Sequence, residues 1–237
     1  MKNKIGNPGS MLLALVILLV SCGKTYIGEG EVVDVTREVG NFNGIALNMD
    51  AIVYVTDTMT HSCVVKAQKN LQEAIITRMD GNILVITSKG TVISDEPIVI
   101  EIGMNRAHMF EINGSGQILS TNTFKNEKTD FEVNGSGVIK MDVVANKVTC
   151  AVTGSGNLDL SGSTNTFDVE VNGSGTVNAY SLASLISKAK LNGSGMAFLN
   201  VGESLKAEVS GSGEIKYKGE PKLDQDITGS GTVERVK

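Results

Sequence analysis

Seven serines in this 237-residue chain each stand between two glycines: Ser115, Ser136, Ser155, Ser174, Ser194, Ser212 and Ser230. A serine exposed on a glycine turn is the residue from which hydrolases make a nucleophile. That chemistry needs a base beside the hydroxyl and a third group to orient the base. The chain has two histidines, His61 and His108, and neither recurs with the serines. One residue separates the glycines, so the nucleophile-elbow pattern Gly-x-Ser-x-Gly is absent. Polysaccharide-cleaving β-helices would instead need paired carboxylates or a basic cluster in a groove. Glu132, Glu170 and Glu208 recur three residues before their first glycines, but unevenly and with no basic partner apparent in the sequence. A solvated face is the simpler reading, and no catalytic residue is assigned. Calcium-binding β-rolls place aspartates at a fixed repeat position. Val138, Asn157, Thr176 and Met196 stand there instead, and Asp159 is isolated. There is no Cys-x-x-Cys and no His–Cys spacing for zinc. No metal or cofactor is expected.

Two residues do invite covalent chemistry. Lys2 and Lys4 open the chain, and Met11 to Val20 is an uninterrupted apolar run of ten, too short to span a bilayer. The run ends in Leu19-Val20-Ser21-Cys22, which closely resembles the bacterial lipobox. The resemblance implies cleavage before Cys22 and lipidation of its thiol and new amino group. Residues 1–21 are then a lipoprotein signal peptide and 22–30 a short flexible tether containing Gly23, Gly28 and Gly30. An ordinary signal peptide with a coincidental cysteine is the alternative. Several acyl chains on one residue anchor stably. With no aspartate after Cys22 and no acidic cluster hard against it, the favoured destination is the outer membrane, on its periplasmic or surface face. The second residue is Thr58, in Asp57-Thr58-Met59, which resembles an O-glycosylation acceptor of some envelope proteins; three residues also match readily by chance. The four Asn-Gly-Ser sequons at Asn113, Asn134, Asn172 and Asn192 are one repeated turn and read as turn chemistry.

Composition narrows the partners. Without residues 1–21 the chain keeps 216 residues, 19 basic and 26 acidic, a net charge of −7. That disfavours nucleic acid and gives no polybasic patch for anionic lipid. Aromatics are 4% and Trp is absent, so the exposed aromatic platforms common in sugar sites are not signalled. Partners are therefore the membrane, through the anchor, and an unnamed protein or glycan ligand; oligomers stay open. Cys63 and Cys150 read as buried free thiols, with a disulfide between them as the alternative.

The elements that carry these residues follow from the repeat. The serines are spaced by 21, 19, 19, 20, 18 and 18 residues. A motif at a near-fixed period marks a repeat architecture. Two residues before the first glycine stand Ile112, Val133, Val152, Val171, Leu191, Val209 and Ile227. Four before it stand Phe110, Phe131, Cys150, Val169, Ala189, Ala207 and Gln225; four after it stand Ile118, Ile139, Leu158, Val177, Ala197, Ile215 and Val233. Polar residues alternate with them, so each copy reads strand, turn, strand. About 20 residues cannot bury an apolar face alone, but stacked copies can. The expected fold is all-β, a β-solenoid whose strands pair in parallel with their equivalents roughly 4.8 Å away. The serines would form one file, able to pass hydrogen bonds along the axis. A propeller is the alternative, with two copies per blade of about 40–50 residues.

Residues 31–110 lack the triplet but read as strands at Val32–Val35, Ala51–Val55, Cys63–Ala67, Ile83–Ile86 and Ile98–Ile102, with one helical turn from Asn70 to Ile76. No linker precedes the repeats, so residues 31–237 read as one domain with an irregular capping part (31–110) and seven repeats (111–237). Arg37-Glu38-Val39-Gly40-Asn41-Phe42-Asn43-Gly44-Ile45 is similar to the Arg-x-Val-x-x-Phe-x-x-Ile opening of the auto-transporter adhesin head GIN domain family. Val53-Tyr54-Val55, Asn70-Leu71, Leu84-Val85-Ile86 and the Asn-Gly-Ser-Gly turns resemble the same family, over about residues 31–237. The resemblance implies a right-handed β-helix-like fold in a cell-envelope adhesin or surface-interaction scaffold without catalysis, and supplies no catalytic residues. A polysaccharide-binding or polysaccharide-processing role is the alternative.

Overall fold

The computed structural model describes residues 24–237; the apolar run and Cys22 lie outside the described residues. Five long strands dominate it, Gln117–Gly135, Val138–Gly154, Asn157–Gly173, Thr176–Gly193 and Met196–Gly211. Each runs through nearly one whole coil and is interrupted only at its triplet. Each pairs in parallel with the coils before and after it. This is a β-solenoid of about seven turns. The propeller alternative is set aside, because every strand pair between repeats is parallel.

The register follows the repeat. Gly114 pairs with Gly135, Gly135 with Gly154, and so on to Gly211 with Gly229. The positions two and four before the first glycine, and four after it, are buried in the first six copies. Phe110 stacks on its register partner Phe131 with ring centroids 5.6 Å apart, and Phe124 meets Phe110 edge-on at 5.5 Å. The seventh copy differs: Gln225 and Ile227 are exposed, because strand Lys222–Gly229 has a neighbour on one side only among the described residues. The unequal repeat lengths are absorbed after the triplet strand. The pairing shifts between Leu119 and Thr123, between Asp159 and Ser161, and between Asn178 and Ala183, with one further shift later in the coil, between Ser184 and Ile186.

The two glycines of each triplet are required for different reasons. The first lies at positive φ, 128° at Gly173, where a Cβ is strained. The second has ordinary φ, but a Cβ on Gly175 would lie 2.5 Å from Val152 Cγ1 and 2.7 Å from Gly156 O in the coil below. Between them the backbone continues the ladder: Ser174 N–H donates to Gly154 O (2.9 Å) and Thr176 N–H to Gly156 O (3.0 Å).

In the N-terminal region the columns continue. Gly44–Leu47 pairs in parallel with Met109–Ile112 and with Ile83–Ile86. Strands Ile52–Asp57 and Val99–Met104 extend the other column: Ile52–Val55 pairs with Gln117–Ser120, and Ile52–Asp57 with Val99–Met104. Pairing then turns antiparallel. Ser62–Gln68 lies between Val99–Met104 and Val32–Thr36, and Ile75–Asp80 pairs with Ile83–Ser88. The expected helical turn is a short 3₁₀ segment, Lys69–Leu71. One apolar core runs from Phe42 to Tyr217. Cys63 and Cys150 sit in it as free thiols, so the disulfide alternative is not realised. Burial pushes the Cys63 thiol up to about 11 against the opposing pull of Arg37, and raises Cys150 as well. Within the expected tether, Thr25–Ile27 is a strand paired with Thr91–Ile93.

Candidate ligand-binding corner

In-register stacking turns a sequence position into a file of side chains along the axis. The serine file forms, but a side-chain hydrogen bond within it joins Ser212 and Ser230 (Oγ–Oγ 3.0 Å) and, among the described residues, no serine of the file bonds a histidine. The ladder expected of the serines runs instead through the residue before the triplet, wherever neighbouring coils both carry Asn there. Asn113 Nδ2 donates to Asn48 Oδ1 (2.8 Å), Asn134 Nδ2 to Asn113 Oδ1 (3.0 Å) and Asn192 Nδ2 to Asn172 Oδ1 (2.7 Å). The same amides reach back to Glu111, Glu132 and Glu170. The sequon asparagines are thereby tied into turns. The acidic file is less solitary than the sequence suggests: Lys206 Nζ lies 2.7 Å from Glu208, and its hydrogen bond holds that carboxyl below the usual range.

A second corner recurs about eight residues before each triplet. Alternation of buried and exposed residues breaks there, at Asn126-Glu127-Lys128, Asn146-Lys147 and Asn165-Thr166. Asn126 Nδ2 closes it on Ala107 O (2.5 Å), and Thr164 Oγ1 on Asn146 O (3.2 Å) and Thr166 O (3.0 Å). A polar ladder follows: Asn146 Nδ2 donates to Glu127 Oε1 (2.6 Å) and Asn165 Nδ2 to Asn146 Oδ1 (3.0 Å).

Three adjoining concavities lie along this side. The first, about 370 Å³, is lined by Asn41, Asn43, His61, Asn82, Asn105 and Arg106. The second, about 620 Å³, shares Arg106 and adds His108, Lys125, Asn126, Glu127 and Lys128. The third, about 500 Å³, shares Asn126 and Glu127 and runs to Asn146, Asn165 and Leu185. His61 is fixed by a 2.8 Å hydrogen bond between Nε2 and Phe42 O and by edge contact with the Phe42 ring. Asn43 Oδ1 is buried without a hydrogen-bond partner. Arg106, at φ 51°, is the one non-glycine residue at positive φ among the described residues. The trough is rich in carboxamides, with mixed charges in its middle and apolar Val144 and Leu185 exposed at its far end.

None of these groups was assigned from sequence. Thr58 was, and it sits half-buried beside the first concavity's Met59, its N–H donating to Met104 O (2.9 Å). Cys22 lies outside the described residues. The signal for the second corner was readable: two consecutive polar residues break the alternation at a constant offset from the triplet. The trough itself was not, since Arg106 and Asn43 come from turns far apart in sequence. Among the described residues no three His, Cys, Asp or Glu side chains gather as a metal site.

Residues 41–221 match the family profile described as "Putative auto-transporter adhesin, head GIN domain". The chain belongs to this family. The fold recurs in crystal structures of other bacterial chains. One is a "putative adhesin" of Bacteroides fragilis, with a TM-score of 0.82 at 21% identity, covering 89% of this chain and 100% of that one. Another is a "putative lipid binding protein" of Parabacteroides distasonis, at 0.75 and 21%, covering 90% and 100%. A third is a "putative adhesin" of Parabacteroides merdae, at 0.70 and 19%, covering 90% and 99%. At these identities the likeness establishes the fold alone. No curated protein matches the sequence.

Proposed function

We propose that this GIN protein is a lipid-anchored scaffold of the outer membrane that holds a ligand along its second corner, in the manner of an adhesin and without turnover. The observation that carries the reading is the continuous trough from Asn43 through Arg106 and Asn126 to Asn165, built on an in-register stack. A pre-formed concave surface of that kind binds without ordering a loop. Cys22 is the anchor, residues 31–237 act as one domain, and the antiparallel strands at its start cap a right-handed helix. Capping suits the physics, since a bare solenoid end is an open template for strand addition.

A glycan is the ligand class that one specific observation favours. Asn41, Asn43, Asn82 and Asn105 line one hollow with carboxamides, which can both donate to and accept from sugar hydroxyls. The test is binding of residues 24–237 to a panel of glycans and envelope or matrix proteins, with Arg106→Ala and Asn146→Ala as probes. Retention of one ligand class that both substitutions weaken, with no change in the ligand's covalent structure, supports the reading. Ligand binding unaffected by either substitution overturns the trough as the site, and cleaved product overturns the scaffold. Growth with a labelled fatty acid should mark the wild type and leave Cys22→Ala unmarked; equal labelling rejects the anchor. Glycan on the peptide carrying Thr58 would establish that residue as an acceptor, placed at the rim of the trough.

A further inference from the structure

The described part of the segment expected to be a loose tether is instead bonded to the body from Lys24 to Glu29. Lys24 O accepts the Thr91 N–H (3.1 Å), and Gly28 N–H donates to Ile93 O (2.7 Å). Asn70 holds the next turn from both sides, its Nδ2 donating to Ile27 O (2.7 Å) and its Oδ1 accepting from Glu29 N–H (3.0 Å). Tyr26 and Val92 pair in register and turn onto the core. Their neighbours therefore face outward: Thr25 beside Thr91, and Ile27 beside Ile93. Ile27 is 60% exposed and Ile93 50% exposed. Side by side they form an apolar spot that none of the described residues covers.

The sequence says what lies next to that spot. Cys22 stands three residues before Thr25. Three residues span at most about 11 Å, fully extended. A lipidated Cys22 would thus keep Thr25 within about 11 Å of the acylated residue, and its partner Thr91 one strand spacing, about 4.8 Å, beyond that.

We infer that the outward face of the Thr25–Ile27 and Thr91–Ile93 sheet rests on the bilayer interface, with Ile27 and Ile93 among the upper acyl carbons. The anchor is then a short rigid mount that fixes how the solenoid stands on the membrane. The inference depends on the anchor at Cys22 proposed above. It goes beyond that anchor, because a lipidated cysteine on a loose tether would leave the body free to tumble.

The experiment uses the full lipidated chain in vesicles of phosphatidylethanolamine and phosphatidylglycerol. Thr91→Cys carries an environment-sensitive fluorophore, and Thr232→Cys, at the opposite end of the stack, serves as reference. Cys63 and Cys150 are buried and do not compete for the label. The expected result is flotation with the vesicles, a blue shift at position 91 with quenching by brominated lipid, and aqueous emission at 232. Adding Ile27→Ser and Ile93→Ser should return position 91 to aqueous emission while flotation and the melting curve stay unchanged. Flotation with aqueous emission at 91, or a blue shift that survives both serines, overturns the inference and leaves the anchor standing. Failure to float overturns the anchor and the inference together. A blue shift in vesicle-free Cys22→Ala protein that grows with its concentration would identify a second copy of the chain as the occupant and overturn the lipid assignment.

Discussion

Gly114 and Gly173 share a φ of 128° yet differ in surroundings, and that difference separates two costs that repeat proteins usually confound. A Cβ on Gly114 would meet nothing within 4 Å, whereas one on Gly173 would lie 2.5 Å from Gly154 O and 3.3 Å from Gly154 C and Cα. The asymmetry arises because Gly114 opens the first triplet, and the coil before it carries Met49-Asp50-Ala51 rather than Gly-Ser-Gly. Gly114→Ala therefore imposes only the backbone strain of a side chain at that φ, about 1–3 kcal/mol. Gly173→Ala adds overpacking against a neighbouring backbone, which contributes about 1–3 kcal/mol more. Together these reach about 2–6 kcal/mol, a large share of a stability of about 5–15 kcal/mol. Urea titration of the two variants beside the wild type measures the difference through the midpoint at constant slope. Equal losses would refute the claim that close approach of coils selects glycine. A Gly173→Ala midpoint indistinguishable from wild type would refute the strain argument as well.

Gly175→Val tests the second glycine, where φ is ordinary and crowding alone operates; it should lower stability by about 1–3 kcal/mol, seen as a lower melting temperature. Asn134→Ala removes donors to Asn113 and Glu132 and should cost about 0.5–1.5 kcal/mol by the same titration, whereas Ser136→Ala, outside the ladder, should be neutral. Because the native Cys63 thiol ionises near 11 and an unfolded one near 9, the unfolded state gains charge first as pH rises. The corresponding stability is present below pH 9 and lost between about 9 and 11. A wild-type melting curve that falls more steeply over that window than that of Cys63→Ala checks this, and parallel curves would contradict it.

The files of the repeat were legible because a parallel stack leaves no choice of register: Ile112, Val133 and Val152 share a fate fixed by their distance from a glycine. The same logic misread the serines. A small side chain at a turn says that it stacks, but not which polar neighbour has the reach to bond along the axis, and the longer amides of Asn113 and Asn134 do. Gln225 sits at an inward position in the seventh copy, and its polarity reflects a coil with nothing beyond it among the described residues. The strand Thr25–Ile27 was hidden because glycines on both sides suggested slack, while its partner Thr91–Ile93 is supplied from more than sixty residues away. The binding trough was hidden for the same reason. Asn43, Asn82 and Arg106 belong to three separate turns that only the pairing of Gly44–Leu47 with its two neighbours assembles.

The triplet register also governs how such a protein can change length. Gly154 and Gly173 are register partners 19 residues apart, so excising residues 155–173 would join Gly154 to Ser174-Gly175 and rebuild an intact triplet. No inward position would change face, and each coil beyond the cut would find an equivalent neighbour. Insertions and deletions in this architecture are therefore quantised. Each whole coil gained or lost moves everything beyond it by one strand spacing, about 4.8 Å, while an odd-numbered cut inside a strand turns that strand's inward positions outward unless a register shift of the kind between Leu119 and Thr123 absorbs it. Lineages of these chains would vary in reach from the cell in steps of one coil, with the mount and the trough left as they are.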